Sequence, residues 1–102
     1  MRMKNPAHPG RIVKAALDDL AVPVAKAAEA LGVTRQQLNN IIAGRSSITP
    51  EMALRLEAGI GSTAETWIDM QKAFDLAQLR ERSTEIASRV RRLAPARPLT
   101  SD

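Results

Sequence analysis

The 102-residue sequence predicts an all-α domain. Apolar residues recur at helical spacings of three and four, whereas the alternating pattern of a half-buried strand is missing. Ala, Leu, Arg and Glu, which favour helices, are plentiful. With 44% apolar residues and only two aromatic ones, the core should be mostly aliphatic. We expect five helices, the last of which extends toward the C-terminus.

Composition excludes several kinds of site. The chain has no cysteine and one histidine, so disulfides and thiolate metal centres are ruled out, and no carboxylate cluster offers another metal site. No paired-carboxylate or glycine-rich phosphate motif accompanies His8, which we expect at the surface or capping a helix. We therefore predict no catalytic residue, no metal and no cofactor, and a protein that is not an enzyme.

The charge of the chain favours a polyanionic partner. The net charge is +4 and the pI about 10.3. Residues 1–14 carry four basic residues and no acid, and residues 24–49 carry three against one acid, whereas residues 50–79 hold five acids against two basic residues.

No apolar run is long enough to cross a bilayer, and no signal-peptide core is present. We expect a cytoplasmic protein with no membrane partner.

The first helix is expected from Pro9 to about Leu20. Proline suits the first turn of a helix because its missing N–H would have no partner there. One apolar stripe runs along this helix: Ile12, Val13, Ala16, Leu17 and Leu20. The preceding residues 1–7 show no periodicity and are expected to form an extended arm.

Residues 24–44 carry the pattern of a helix-turn-helix. Ala28 is small enough to let two helices cross closely, and Gly32 can take the positive φ of the turn between them. Thr34 suits the N-cap of the second helix, and Gln37 can complete a capping box. These positions together predict two short helices joined by a tight turn.

The second of these helices, closed by Gly44, has two contrasting faces. Leu38, Ile41 and Ile42 share one side and should face the core. The other side consists of amide and guanidinium groups: Arg35, Gln36, Gln37, Asn39 and Asn40. Such groups can read base edges in a DNA major groove, whereas a merely solvated helix would more often carry Glu and Lys than two Asn. A polar surface with no partner is the alternative.

Two further helices are expected after this motif. Thr49, Pro50 and Glu51 form a helix start, which predicts a helix to about Ala58. Two glycines follow, and residues 62–65 have the form of a capping box for the fifth helix.

The fifth helix can run for up to about thirty residues, since no proline or glycine occurs between Thr63 and Pro95. Its first half offers four residues for packing on the domain: Trp67, Ile68, Met70 and Phe74. Farther on, residues at spacings of 3, 4, 3, 4 and 3 form a heptad seam with one polar member: Leu76, Leu79, Ser83, Ile86, Val90 and Leu93. The chain's own core, a second copy or another protein must cover this stripe. We take its five apolar members as a candidate dimer seam.

These patterns divide the chain into four parts. They are an N-terminal arm (1–7), a helix-turn-helix domain (8–78), a C-terminal helical extension (79–93) and a Pro-rich tail expected to be disordered (94–102). Both unpatterned ends are under ten residues, which is short for a segment that wraps around a partner.

Several segments resemble a known family. GVTRQQLNNIIAGR is similar to the helix-turn-helix of Cro/C1-type (Xre) repressors. The flanking segments HPGRIVKAAL, SITPEMALRL and TAETWIDMQKAFDL are similar to those of HigA-type, or VapI-like, antitoxins. The resemblance spans roughly residues 8–79 and implies a five-helix, lambda-repressor-like DNA-binding domain.

Antitoxins of this kind typically repress their own promoter as dimers and neutralise a RelE- or HigB-like, mRNA-cleaving toxin. The resemblance therefore implies three partners: operator DNA, a cognate toxin and a second copy of the chain. It also assigns the base-facing positions to Arg35, Gln36 and Asn40. The positions predicted to face the DNA backbone, with Asn39 added to those the family implies, are Thr34, Gln37, Asn39, Arg45, Ser46 and Ser47. Where the family often has a phosphate-touching Gln or Ser, this chain has Val24.

Two functions remain open at this point, an antitoxin and a free-standing Xre-type repressor with no toxin. A small basic reading frame beside the gene would distinguish them. Four of the acids beyond the helix-turn-helix form an acidic run: Glu57, Glu65, Asp69 and Asp75. They can attract a basic toxin, or they can be a solvated face.

Overall fold

The computed structural model describes residues 6–93, and the regular structure in this range is entirely helical. The helices are α1 (Gly10–Leu20), α2 (Val24–Leu31), α3 (Arg35–Ile42), α4 (Pro50–Gly59), α5 (Ala64–Arg80) and α6 (Ser83–Ala87). The all-α prediction is confirmed. Most of the predicted arm, residues 1–5, and the whole predicted tail, residues 94–102, lie outside the described range, and the four-part division of the chain stays a prediction.

Helices α3 and α4 each begin after a threonine N-cap, as predicted. The Thr34 hydroxyl accepts the Gln37 N–H at 3.0 Å, and the Gln37 side-chain oxygen accepts the Thr34 N–H at 2.7 Å. These two hydrogen bonds form the capping box of α3. Thr49 caps α4 by accepting the Met52 N–H at 3.2 Å. Each cap satisfies an N–H that has no partner within its helix.

At α5 the N-cap lies one residue later than the predicted capping box requires. Thr63, rather than Ser62, is the N-cap, and its hydroxyl accepts the Thr66 N–H at 3.1 Å. Ser62 lies at φ +60°, in the turn that precedes the helix. Glu65 therefore falls in the first helical turn and not at the position that closes a capping box.

The core is aliphatic around one tryptophan, as the composition predicts. Its buried hydrophobic residues come from α1 to α5 and from the loop before α4: Val13, Leu17, Ala27, Ala28, Leu31, Leu38, Ile41, Ile48, Met52, Ala53, Leu56 and Trp67. The indole N–H of Trp67 donates to the Gly61 carbonyl at 2.9 Å. Two members of the predicted α1 stripe, Ile12 and Leu20, are instead about half exposed, because α1 packs mainly against α3 and leaves its other side to solvent.

The start of α1 lies in backbone contact with the end of α3. A Cβ at Gly10 would collide with the carbonyl oxygen of Ile41. His8 Nδ1 accepts the Gly10 N–H at 2.9 Å, so the expected capping role is found. The ring is buried rather than at the surface, and it meets Phe74 edge-on at a centroid distance of 4.9 Å.

The C-terminal helix is shorter than the sequence predicts. It ends at Arg80, and α6 has only five residues. Between them, Arg82 has φ −112° and ψ 17°, and its N–H bonds to the Leu79 carbonyl three residues back, at 2.8 Å. Every residue from 81 to 93 is exposed. Without packing, a short helical segment with Ser83 and Thr84 in its sequence is marginal, so the absence of proline and glycine was not sufficient to extend α5.

The apolar seam residues are not covered by the chain's own described core. Their exposed fractions are 52% for Leu76, 48% for Leu79, 41% for Ile86, 69% for Val90 and 96% for Leu93. The last two lie beyond the end of α6, so the six seam positions do not share one continuous helix. Between residues 6 and 93, no helix combines the length and the apolar character that crossing a bilayer requires.

Candidate nucleic-acid interface

Helices α2 and α3 form the predicted two-helix motif. Gly32 lies at φ +76° and ends α2, a conformation that costs glycine little because it has no Cβ. The Val33 N–H bonds back to the Ala28 carbonyl at 3.0 Å, which closes the turn. Val24, at the start of α2, packs against the core and offers no polar side chain to a phosphate.

Arg55 of α4 holds this turn from the side. Its guanidinium donates to the carbonyls of Leu31 at 2.9 Å and Gly32 at 3.4 Å, where α2 ends. It also pairs with Glu51 one helical turn earlier, at 2.8 Å. This role of Arg55 was not predicted from the sequence, although the i, i+4 spacing of Glu51 and Arg55 indicates an ion pair.

Helix α3 has the two faces that its sequence predicts. Leu38 and Ile41 are buried, and Ile42 is half-buried against the core. On the opposite side, Arg35, Gln36 and Gln37 are exposed, and Asn39 and Asn40 are half-exposed. Residues 35–49 contain two arginines and no acid. The solvent face of α3 therefore presents amide and guanidinium groups, and the helix itself carries no carboxylate.

The loop after α3 folds back on the end of that helix. Gly44 has φ +78°, and the carbonyl of Asn40 accepts the backbone N–H groups of Arg45 at 2.8 Å and Ser46 at 3.2 Å. The side-chain oxygen of Asn40 also accepts Arg45 Nε at 3.2 Å. A residue predicted to face a base is thus bonded to one predicted to face a phosphate.

Several predicted contact residues share one open depression between α3 and the start of α4. Gln37, Asn40, Ser46 and Ser47 line it, together with the ion pair of Glu51 and Arg55. Because Thr34 and Gln37 bond to each other, the free polar atoms of Gln37 are its amide N–H groups. The fold therefore brings side chains from α3 and from the following loop to one surface. Their individual contacts with DNA stay predictions.

A second supporting residue, Gln71 of α5, was also missed in the sequence analysis. It is 4% exposed, and its side-chain oxygen accepts the Ile48 N–H at 2.8 Å. Its position one helical turn after Trp67, on a buried face, was the available signal. Among the described residues, no group of His, Asp and Glu has the arrangement that a metal ion needs.

Comparison with known proteins agrees with this geometry. The family described as Helix-turn-helix matches residues 13–68. Virulence-associated protein A' of Dichelobacter nodosus is 43% identical over 82% of this chain and 74% of its own length. Antitoxin HigA-1 of Vibrio cholerae is 34% identical over 88% of this chain and 86% of its own.

Solved structures give the same result. Antitoxin GraA is 36% identical, with a TM-score of 0.81 over 87% of this chain and 98% of GraA. The same antitoxin in complex with its operator gives a TM-score of 0.77 over 92% of this chain and 94% of that one. The chain therefore belongs to the Xre-type helix-turn-helix family. Within that family it belongs to the HigA-like antitoxin branch.

Proposed function

We propose that this chain is the antitoxin of a type II toxin–antitoxin module, which represses its own operator and neutralises a RelE- or HigB-like mRNA-cleaving toxin. The observation that carries the DNA-binding half is the acid-free polar face of α3, with the arginine and serine loop beside it. The structural similarity to GraA, which was solved in complex with its operator, supports operator binding by this chain.

In this proposal α3 enters the major groove and the two groups of residues have different tasks. Arg35, Gln36 and Asn40 read base edges, since Arg can bond to guanine and Gln or Asn to adenine in bidentate fashion. Thr34, Gln37, Asn39, Arg45, Ser46 and Ser47 contact the DNA backbone and set the register of the helix.

The DNA-binding half is tested by footprinting the full chain on the DNA upstream of its own gene and on a scrambled duplex of the same length. A protected site on the upstream DNA only, with affinity that falls as salt rises, is the expected result. Equal, weak binding to both duplexes would contradict specific readout.

We also propose that the chain acts as a dimer through the seam of Leu76, Leu79, Ile86, Val90 and Leu93. One helix-turn-helix buries little surface on DNA, and two-fold dimers on half-sites about one helical turn apart are the common solution. The exposure of all five side chains supports an interface between copies.

Toxin neutralisation is proposed to use the folded surface rather than an unfolded arm. The exposed acids of α4 and α5 offer a basic, RNA-cleaving partner complementary charge, which speeds association. Four residues contribute: Glu57, Glu65, Asp69 and Asp75. The last also accepts a bond from Gln71, so its carboxylate is held in place.

The toxin claim is tested by co-expressing the adjacent small basic reading frame with the full chain and with a version spanning residues 8–93. Co-purification with both is expected. Loss of the complex on trimming would contradict folded-surface contact. No complex with either version, together with specific operator binding, would favour the free-standing repressor.

A further inference from the structure

The side chain of Gln71 connects α5 by a hydrogen bond to the loop that follows α3. Its Oε1 accepts the Ile48 N–H at 2.8 Å, and its Nε2 donates to Asp75 Oδ1 at 2.9 Å. Only the oxygen of an amide can accept and only its nitrogen can donate, so Asp75 fixes which end of the Gln71 side chain faces the loop. Ile48 is itself 3% exposed, which makes this a buried hydrogen bond between segments distant in sequence.

The loop held in this way carries residues proposed to contact DNA phosphates. Its first part is bonded to the carbonyl of Asn40, and its last residue, Thr49, caps α4. Arg45, Ser46 and Ser47 lie between these anchors. Loss of the Gln71 oxygen would leave the Ile48 N–H without its acceptor in a buried place, which favours a rearranged loop.

Helix α5 supports the same loop at a second point. Phe74, three residues after Gln71, packs against the His8 ring. That ring lies under the start of the loop, because a Cβ on Gly44 would be in van der Waals contact with His8 Cγ at 3.7 Å. One face of α5 therefore supports the end of the loop through Gln71 and its beginning through Phe74 and the His8 ring.

We infer that Gln71 is a positioning residue for DNA binding. It holds the loop of Arg45, Ser46 and Ser47 next to α3, so that the loop and the helix contact the same duplex. An apolar side chain of similar volume, such as methionine, would fill this core site without burying an amide, so packing alone does not account for glutamine here. The inference rests on the proposed DNA-binding function.

The test compares Gln71→Met with Gln78→Met in the full chain. Gln78 is exposed on the same helix two turns later, so the second variant makes the same chemical change without touching the loop. Amide hydrogen exchange at residues 45–48 reports the loop. Fluorescence anisotropy on the gene's upstream duplex and on a scrambled duplex of equal length reports binding.

For Gln71→Met, exchange of the Ile48 amide should quicken at least about tenfold while α1 and α2 stay protected. Affinity for both duplexes should fall by one common factor of about three to ten, since phosphate contacts carry no sequence information. Gln78→Met should match the unmodified chain in both measurements. If Gln71→Met does not fold, Asp75→Ala, which removes only the partner that orients the amide, should show the same pattern with smaller factors.

Three results would overturn the inference. The first is unchanged exchange at Ile48 in the folded variant. The second is faster exchange with unchanged DNA affinity, which would make Gln71 purely structural. The third is an unmodified chain that binds neither duplex, in which case the proposed function fails and the positioning role fails with it, while exchange still shows whether Gln71 anchors the loop.

Discussion

The helix-turn-helix and the C-terminal segment have the same apolar spacing but opposite surroundings. In α3, Leu38 and Ile41 are 0% and 5% exposed, whereas Leu79 and Ile86 in the C-terminal segment are 48% and 41% exposed. Periodicity predicts which residues share a face of a helix, but the rest of the chain decides whether that face is covered. The difference shows that the α3 stripe is part of the core and that the C-terminal stripe is exposed.

The two regions also begin their helices differently. A reciprocal capping box starts α3, whereas no side chain caps the first backbone N–H groups of α6, which begins after Arg82. A cap and a buried face together stabilise an eight-residue helix that would be marginal alone. Helix α6 has neither a cap nor a buried residue, and it is separated from α5 by a break after Arg80.

Shortening one leucine in each region should give the largest difference in stability. Leu38→Ala removes a fully buried side chain of α3 and should lower the free energy of unfolding by about 2–5 kcal/mol, through lost burial and the cavity left behind. Leu79→Ala should change it by no more than about 0.5 kcal/mol in a dilute sample. Urea unfolding at two protein concentrations measures both. Equal losses in the dilute sample would mean that the C-terminal stripe is part of the monomer's core.

The contact between α1 and α3 gives the next largest effect. Gly10→Ala places a methyl group against the Ile41 carbonyl oxygen, so the two backbones must separate at a cost of about 1–3 kcal/mol. Ala15→Ser, at an exposed position of α1, is the control and should be nearly neutral. Chemical denaturation distinguishes them. A neutral Gly10→Ala would show that α1 does not approach α3 so closely.

The capping difference predicts a smaller effect. Thr34→Ala removes the N-cap oxygen of α3 and should cost about 0.5–2 kcal/mol of stability. Ser83→Ala, at the start of the uncapped α6, should leave the unfolding midpoint unchanged. Similar losses for the two variants would contradict the assignment of the cap.

Much of the helix-turn-helix, and the start of α4 after it, could be predicted because the determinants are local. Thr34 and Thr49 predict two helix starts, and Gly32 predicts a turn. Each of these predictions uses only residues within four positions of the one named. The exposed face of α3 follows from the burial of Leu38 and Ile41, which their spacing indicates. These features need no knowledge of distant segments.

The remaining features depend on contacts between distant segments. The bond from Ile48 to Gln71 joins a loop to a helix, and the close approach of Gly10 to Ile41 joins the first helix to the third. Neither has a local sequence signature. The break after Arg80 was missed for a related reason, since a pattern without proline or glycine permits a long helix but supplies none of the packing that stabilises one.

The smallest effect on folding is expected from Ile86→Asp. The side chain is 41% exposed and on no buried face of the monomer, so unfolding of a dilute sample should be unchanged. If the seam joins two copies, a buried charge there is costly, and light scattering should show a dimer for the unmodified chain and a monomer for the variant. A monomer in both cases at tens of micromolar would remove the seam as an interface.

In the proposed DNA complex, α3 reads bases while the following loop contacts the phosphates. The most direct measurement compares Gln36→Ala and Arg45→Ala on the gene's upstream duplex and a scrambled duplex at two salt concentrations. Gln36→Ala should lose about 1–3 kcal/mol of preference for the upstream duplex, and its salt dependence should stay as it was. Arg45→Ala should weaken binding to both duplexes equally and reduce the slope of log affinity against log salt by about one. If Arg45→Ala removed the sequence preference and Gln36→Ala weakened both duplexes alike, the assignment of the two surfaces would be wrong.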